Sequence, residues 1–346
     1  MTNGNSDKKA GKKSFVWFGV LLAISAIALS GYFWSSRQFQ KPAGPPEKVV
    51  ISGGNQPNAA PVYVALAKGY FAHEGVDATL RSYASGRDAL NSVLEGKADM
   101  AIAAETPIMF AGLRGGKVAV VATIAASDKN TMIIARKDRG ISSPGDLKGK
   151  KIGVPLGTNG HFFMDIFLTS HRIPREGVKV VNLKPGEVVD ALVKGDIDAI
   201  STWNLYDYRA RKELGDNAVT FYGEGIYSTT FSVVAAQTLV NEKPEVVKKV
   251  LRALVSASNF MAQNPQESIR ITAEQTKTDK VAISDLWNEY SFAITLDQSF
   301  LTTMEDEARW AIKNKLTDRT ATPNYLNFIY PDGLKAVRPE GVTVIH

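Results

Sequence analysis

The sequence contains no cysteine. It therefore offers no disulfide bond, no thiolate nucleophile, no cysteine zinc site and no cysteine that could carry a lipid. Histidine is scarce as well, since only four occur in 346 residues. Of these, His161 alone falls on a loop that we expect to reach a ligand. One histidine without a partnered nucleophile gives little support to catalysis.

Common catalytic and nucleotide-binding motifs are also missing: G-x-S-x-G, H-E-x-x-H, G-x-G-x-x-G and the Walker A loop. We therefore expect a protein that is not an enzyme and that holds no cofactor and no metal. Positive charge is concentrated at the start of the chain, because residues 1–47 carry six Lys and Arg against two acids. The rest has no basic run interleaved with aromatic residues, so we expect no nucleic-acid partner.

The N-terminal region has the pattern of an export segment. Four lysines at positions 8, 9, 12 and 13 precede the apolar stretch Phe15–Trp34. Because basic flanks stay in the cytoplasm, residues 1–14 are predicted to be a cytoplasmic stub and the remainder to face outward. Twenty residues at about 1.5 Å each span the hydrocarbon core of a bilayer. Residues 15–34 are thus predicted to be a transmembrane anchor, or a signal segment cleaved before Gly31, followed by a Pro-rich linker at 35–47.

The same order of β-rich and helical segments occurs twice in the remaining chain, about one hundred residues apart. Residues 48–103 and residues 150–201 each alternate short β-rich runs with helical stretches, a pattern that predicts parallel β-α-β units. Corresponding positions carry the same residue: Gly75 and Gly177, Gly96 and Gly195, Asp99 and Asp198. We expect the glycines to end helices in a left-handed conformation and the aspartates to bond loop amides. Two such units predict two α/β lobes with a ligand cleft between them.

The lobe boundaries follow from this repeat. Lobe I is predicted to comprise residues 48–137 and 230–346, and lobe II residues 138–229. The apolar runs Thr131–Asp138 and Phe221–Gln237 lie where the chain must change lobes, so they are predicted to form a two-crossing hinge.

The pattern changes to helices from Pro244 onward. Apolar residues then recur at helical spacing, and Pro244 is placed suitably for a helix start. Further helices are predicted at 283–294 and 300–312, and we expect all of them to complete lobe I.

Candidate ligand-binding residues follow from where the strands end. In open α/β sheets, ligands bind outside the carboxyl ends of the strands. Applied to both copies, this rule selects nine residues in four loops: Asn55 and Gln56; Glu105 and Thr106; Thr158, Asn159 and His161; Trp203 and Asn204.

The chemistry of these loops leaves the charge of the ligand open. The loop before the helix that begins near Asn159 would present free amides and a positive dipole end to an anion, although Thr158 or Asn159 could also be a simple helix cap. Glu105 at the cleft would instead repel an anion and favour an amine, unless it points away. Trp203 could be a pocket wall or a core residue. Arg87, at the start of a predicted helix, could approach the cleft, although we favour a solvated surface residue.

Several sequence segments resemble those of the substrate-binding proteins of the nitrate, sulfonate and taurine class of ABC transporters. They are APVYVALAKGYFAHEGVDATL, SGRDALNSVLEGKADMAIAAETP, SSPGDLKGKKIGVPLGTNGHFF and GDIDAISTW. The resemblance runs from Lys48 to about Gln237, and the C-terminal helices agree in kind. It implies a type II periplasmic-binding-protein fold, an α/β architecture with two lobes. The missing lipid-bearing cysteine and the long N-terminal apolar run depart from this class.

The resemblance also implies a function. We expect an extracytoplasmic, monomeric protein, tethered to the cytoplasmic membrane, that captures a small organic solute of the sulfonate, nitrate, taurine or pyrimidine-like class. Its partners would be an ABC permease and the ATPase of that permease. The alternatives are a membrane-tethered ligand sensor or an enzyme on the same fold.

Overall fold

The structure is a computed structural model that describes residues 44–223 and 225–345. Within these ranges ten strands form two five-stranded sheets. The strands are β1 (Glu47–Gly54), β2 (Val76–Tyr83), β3 (Met100–Ala104), β4 (Val118–Ser127), β5 (Thr131–Arg136), β6 (Lys151–Val154), β7 (Lys179–Asn182), β8 (Ala199–Trp203), β9 (Ala218–Tyr222) and β10 (Thr229–Ala236). The predicted α/β class with two lobes is confirmed.

The two sheets have the same topology. Their strand orders are β2-β1-β3-β10-β4 and β7-β6-β8-β5-β9. In each, the first three strands are parallel and the fourth is antiparallel to both of its neighbours. The repeat seen in the sequence is therefore a repeat of topology, and each copy builds one lobe.

The repeated aspartates hold equivalent strands together. The Val50 amide donates to Asp99 Oδ2 at 2.7 Å, and the Lys151 amide donates to Asp198 Oδ2 at 2.8 Å. Each carboxylate therefore bonds an amide of the strand that lies second in its sheet, β1 or β6. The left-handed conformation expected of the glycines is found at Gly75, Gly96 and Gly195. It is not found at Gly177, which instead closes a short 3-10 turn.

Thirteen α-helices are described, and they cover the faces of both sheets. They are α1 (Ala60–Ala67), α2 (Tyr70–His73), α3 (Gly86–Leu94), α4 (Glu105–Leu113), α5 (Asn159–Ser170), α6 (Val188–Lys194), α7 (Tyr206–Leu214), α8 (Gln237–Glu242), α9 (Pro244–Gln263), α10 (Pro265–Thr276), α11 (Lys280–Trp287), α12 (Gln298–Lys313) and α13 (Pro331–Val337). One large apolar core fills lobe I, and two smaller cores flank the lobe II sheet. The α9 residues Val247, Val250 and Leu254 belong to the lobe I core, as predicted.

The crossings between lobes are shorter than the predicted hinge segments. Strand β5, which the predicted boundary assigned to lobe I, pairs with β8 and β9 in the second sheet. The boundary therefore moves from residue 137 to the crossing at 128–130, and the return crossing is at 223–228. Both β4 and β5 are continuous apolar runs, so the hydrophobic pattern could not separate them.

The C-terminal part corrects one further expectation. Helix α12 agrees with the predicted helix at 300–312, but α11 ends at Trp287 and the chain then runs extended beside β4. Amides of Ser291 and Thr295 donate to β4 carbonyls at 2.9 and 3.1 Å. The predicted anchor at 15–34 lies outside the described residues. Within the described part, none of the helices has the length and apolar character that crossing a membrane requires.

Candidate functional site

A closed cavity lies between the lobes at the carboxyl ends of the parallel strands. Lobe I lines it from the loop after β1, the start of α3, the β3–α4 junction and β10, and lobe II lines it from the start of α5 and the end of β8. Its volume is about 30 Å³, which is room for about two water molecules or a small head group. Among the described lining residues, none is an aspartate or a glutamate.

Three α-helices begin at this cavity. They are α3 at Gly86, α4 next to Ala104, and α5 at Asn159. Gly86 is required here, because a Cβ atom would lie 3.1 Å from the Ala103 Cα atom on β3. The first amides of a helix have no partner inside the helix, and its dipole is positive at that end. Three positive helix ends therefore converge on one small space.

The loop after β1 supplies amide side chains that lack protein partners. Asn58 is 7% exposed, lines the cavity and makes no side-chain hydrogen bond to any described residue. Gln56 also lines the cavity, and its Oε1 atom is buried without a partner. A buried polar group without a partner destabilises the fold, so these two side chains are suited to bond a ligand.

The opposite wall comes from lobe II. Trp203, at the end of β8, is 6% exposed and closes one side of the cavity. Asn159 lies beside it at the α5 start, and its Nδ2 atom is 3.4 Å from Asn130 Oδ1 in the first crossing. Thr158 occupies the N-cap position, but its hydroxyl donates to the Pro155 carbonyl instead of capping the helix. Gln56, Thr158, Asn159 and Trp203 are thus the four predicted site residues that line one cavity.

Arg87 spans the cleft, so its interpretation as a solvated surface residue is wrong. Its Nη1 atom donates to the Leu156 carbonyl of lobe II at 2.5 Å. Its side chain is 36% exposed, and Asp88 on the same helix lies 3.6 Å from its Nε atom. Arg87 is therefore the one charged residue among the described cavity-lining residues.

Three predicted site residues bond the protein instead of lining the cavity. Asn55 Nδ2 donates to the Thr276 carbonyl at 2.9 Å, and the Thr106 hydroxyl donates to Glu307 Oε1 at 2.6 Å. Asn204 Nδ2 lies 3.3 Å from the Tyr290 hydroxyl. The strand-end rule placed these residues near the cleft, but it does not determine the direction in which a side chain points.

The sequence left open whether Glu105 faces the ligand. In the structure it points away from the cavity. It is fully buried and accepts hydrogen bonds from the Tyr227 hydroxyl and, at 2.8 Å, from the Thr230 amide. Glu307 on α12 is buried beside it. Burial raises the pKa of both carboxyls, and the Glu105 charge raises the pKa of Glu307 further. A carboxyl held in this way does not repel an anion in the cavity.

His161 does not line the cavity either. Its Nδ1 atom accepts a hydrogen bond from the Gly157 amide at 3.3 Å, and its ring packs edge-on to Trp310 at 5.0 Å between centroids. Burial, together with the nearby charge of Arg175, lowers the pKa of His161 to about 4. The ring is therefore neutral at neutral pH and adds no charge to the site.

Trp310 joins the two lobes at the side of the cavity. It lies on α12 of lobe I, and its Nε1 atom donates to Asp165 Oδ2 on α5 of lobe II at 3.0 Å. Its ring also packs against Phe110 of lobe I and Phe162 of lobe II. Together with the Arg87 bond to Leu156, this contact joins the two lobes.

Sequence reasoning missed Asn58, Ser85, Asn130 and Phe231. Asn58 lies in the loop that the strand-end rule selected, so the rule could have included it. Ser85 is the N-cap of α3, and a serine before a helical stretch is a readable signal. Asn130 lies in the first crossing and Phe231 lies on β10, where the sequence carried no comparable signal.

Residues 56–268 match the family model described as NMT1/THI5 like. This region is more than half of the chain. The chain belongs to the NMT1/THI5-like family.

Two curated relatives illustrate the membership. A binding protein of Brucella abortus is 29% identical over 223 residues, which cover 63% of this chain and 67% of the relative. The taurine-binding periplasmic protein of Escherichia coli is 25% identical over 225 residues, covering 63% and 68%. The sequence resemblance is therefore confirmed at the level of the family.

Solved structures of this family's fold agree with the architecture. The alkanesulfonate-binding protein SsuA of Xanthomonas axonopodis, bound to MOPS, has a TM-score of 0.73 at 18% identity and covers 84% of this chain and 100% of its own. The desulfurization enzyme DSZB has a TM-score of 0.64 at 16% identity, covering 85% and 99%. One fold thus carries both binding proteins and an enzyme, so function has to be argued from the site.

Proposed function

We propose that this protein is an extracytoplasmic solute-binding protein that captures a small solute with an anionic group. The lobes close over the solute, and the loaded protein delivers it to an ABC permease. The sulfonates and nitrate fit this description, as does taurine through its sulfonate group. Neutral pyrimidines and simple amines fit it less well.

The observation that carries this proposal is the convergence of three helix N-termini on a cavity without carboxylates among its described lining residues. A negative group at one helix start gains about 0.3–1 kcal/mol, and up to about 2 kcal/mol in a partly buried site. Three such ends act on one group here, and the Arg87 guanidinium adds a full positive charge. A cation in the same place would be repelled by the three helix ends and by Arg87.

Neutral donors complete the proposed site. The amide side chains of Gln56, Asn58 and Asn159 can donate to the oxygens of a sulfonate, nitrate or carboxylate. The Trp203 ring would shield the apolar part of the ligand from water. These four side chains come from both lobes, so the ligand would contact both and favour the closed state by its differential affinity.

The relatives support the transport role. The E. coli relative is a periplasmic protein that binds taurine, and the Xanthomonas structure is a protein that binds alkanesulfonates. By analogy, an ABC permease with its ATPase is the proposed partner. We further propose that the apolar stretch at 15–34 directs residues 48–346 out of the cytoplasm and retains them at the membrane.

A pair of asparagines in one loop tests the site. Asn58→Ala removes a side chain that faces the cavity, whereas Asn55→Ala removes one that bonds the Thr276 carbonyl. We expect Asn58→Ala to weaken binding of the best anion by about ten- to a hundredfold, since hydrogen bonds to charged groups contribute about 1.5–3 kcal/mol. Asn55→Ala should lower the unfolding temperature and leave the affinity within about twofold of wild type. Calorimetric titration and thermal unfolding of the full chain measure both.

The ligand screen separates the alternatives. Alkanesulfonates, taurine, nitrate and carboxylates form one set, and amines and pyrimidines form the other. An anion at a hundredfold above its dissociation constant should stabilise the fold by about 2.7 kcal/mol. Stabilisation by the second set alone would refute the anionic site, and turnover of any compound would favour an enzyme. A ligand that binds without uptake by a permease would favour a sensor.

A further inference from the structure

A second chamber adjoins the ligand cavity. Its volume is about 270 Å³, and it shares Arg87 and Pro107 with the cavity. Phe110 and Arg114 of α4, Leu156 before α5 and Leu316 after α12 form most of the remaining wall. The cavity itself holds only a head group, and this chamber is a neighbouring space that shares part of its wall.

The chamber carries positive charge without a matching negative one. The Arg114 guanidinium makes no ion pair or hydrogen bond with another described residue. Partial burial and the nearby Arg87 charge lower the pKa of Arg114. The ion-pair partner of Arg87 is Asp88, which does not line the chamber. His161 also borders the chamber, but it is neutral because its pKa is about 4. Two guanidinium groups thus face one space with no carboxylate among its described lining residues.

The rest of the chamber wall is apolar. Pro107, Phe110 and Leu156 lie between the cavity and the outer end, and Leu316 is 37% exposed there. An apolar wall between two positive regions is complementary to a molecule with an apolar middle and acidic ends. Arg114 also lies at the C-terminus of α4, where a cation interacts favourably with the helix dipole. That role stabilises the fold alone and predicts no effect on ligand choice.

We propose that the chamber is a second ligand subsite and that the solute is a short dianion. One acidic group would occupy the cavity, a short hydrocarbon spacer would lie against Phe110 and Leu156, and the second acidic group would lie between Arg87 and Arg114. This proposal rests on the proposed function, because it assumes that an anionic head group binds in the cavity.

Two acids that differ only at one end test the chamber. Propanesulfonate and sulfopropanoate have the same three-carbon chain, but the second carries a terminal carboxylate. We expect the full-length wild-type protein to bind sulfopropanoate at least about tenfold more tightly, as for a charge-assisted contact. Arg114→Gln should abolish this preference and leave propanesulfonate binding unchanged. Arg270→Gln, at an exposed arginine outside the chamber, should retain the preference.

The possible outcomes separate the two proposals. Equal affinities for the two acids in wild type, with no effect of Arg114→Gln, would overturn the second subsite while the anion site stands. If neither acid bound and only amines or pyrimidines did, both proposals would be overturned. Should Arg114→Gln weaken both acids equally, the arginine would attract anions in general, and the subsite would again be refuted. Thermal unfolding of each variant shows whether a loss of affinity reflects a loss of fold.

Discussion

Replacing Glu307 by glutamine is expected to change how the stability of the protein depends on pH. Glu307 and Glu105 are both 0% exposed. Glu105 accepts hydrogen bonds at both of its oxygens, whereas Glu307 accepts one from Thr106 and its Oε2 atom is buried without a partner. A buried carboxylate without compensation costs several kcal/mol. Glu307 therefore keeps its proton in the folded state at neutral pH.

The sign of the effect follows from the raised pKa of Glu307, which burial and the Glu105 charge place well above the ordinary value of 4.5. Between those two values the folded state holds a proton that the unfolded state has lost. Stability must then fall as pH rises through this window, by about 1.4 kcal/mol per pH unit for one proton. Glutamine cannot ionise and can still accept the Thr106 hydrogen bond, so the variant should lack the part of this slope that Glu307 contributes.

Urea unfolding of wild type and Glu307→Gln at several pH values between 5 and 8 measures the effect. The difference between the two proteins is the useful quantity, because titrating groups distant from the Glu105–Glu307 pair cancel. Glu305→Gln, at a partly exposed position on the same helix, is the matched control and should run parallel to wild type. Parallel curves for Glu307→Gln as well would mean that Glu307 is ionised in the fold, and the reasoning about the pair would be wrong.

Three further predictions concern the lobes and the chain start. Trp310→Phe keeps the aromatic packing but removes the donor to Asp165, so ligand affinity should fall by about fivefold, the equivalent of about 1 kcal/mol; an unchanged dissociation constant would show that this contact does not aid closure. Asp99→Ala and Asp198→Ala leave an amide of β1 and of β6, respectively, without its acceptor, and each should lower the free energy of unfolding by about 1–3 kcal/mol in urea titrations. The anchor interpretation predicts that N-terminal sequencing of protein from the native host finds residues before position 31. A mature chain that begins at Gly31 would contradict it.

The internal repeat allowed the two-lobed fold to be predicted from the sequence. Alternating β-rich and helical segments predicted the two lobes, and the matched Asp99 and Asp198 marked equivalent positions in both sheets. The lobe boundary was misplaced because β5 is as apolar as β4. Which sheet such a strand joins depends on pairing between distant segments, and local pattern does not encode that.

The sequence predicted the location of the site better than it predicted the individual side-chain contacts. Strand ends located the loops, and four of the nine selected residues line the cavity. Whether Glu105 faces the cavity or Tyr227 depends on partners more than one hundred positions away. For the same reason Asn58 lines the cavity, whereas the selected Asn55, three residues earlier, bonds the Thr276 carbonyl. Side-chain direction within a loop is set by tertiary packing, which the spacing of residues does not reveal.

Strand β10 joins the lobe I sheet only after the chain has passed through lobe II, and this order has a consequence for biogenesis. Every described strand of the second sheet comes from residues 131–222, so lobe II can fold as soon as that stretch has left the ribosome. Lobe I cannot, because β10 must insert between β3 and β4 after a delay of about one hundred residues. Until then β3 and β4 present unpaired edges that other chains could join. The early half of lobe I is therefore the part of this chain that most needs a chaperone during synthesis.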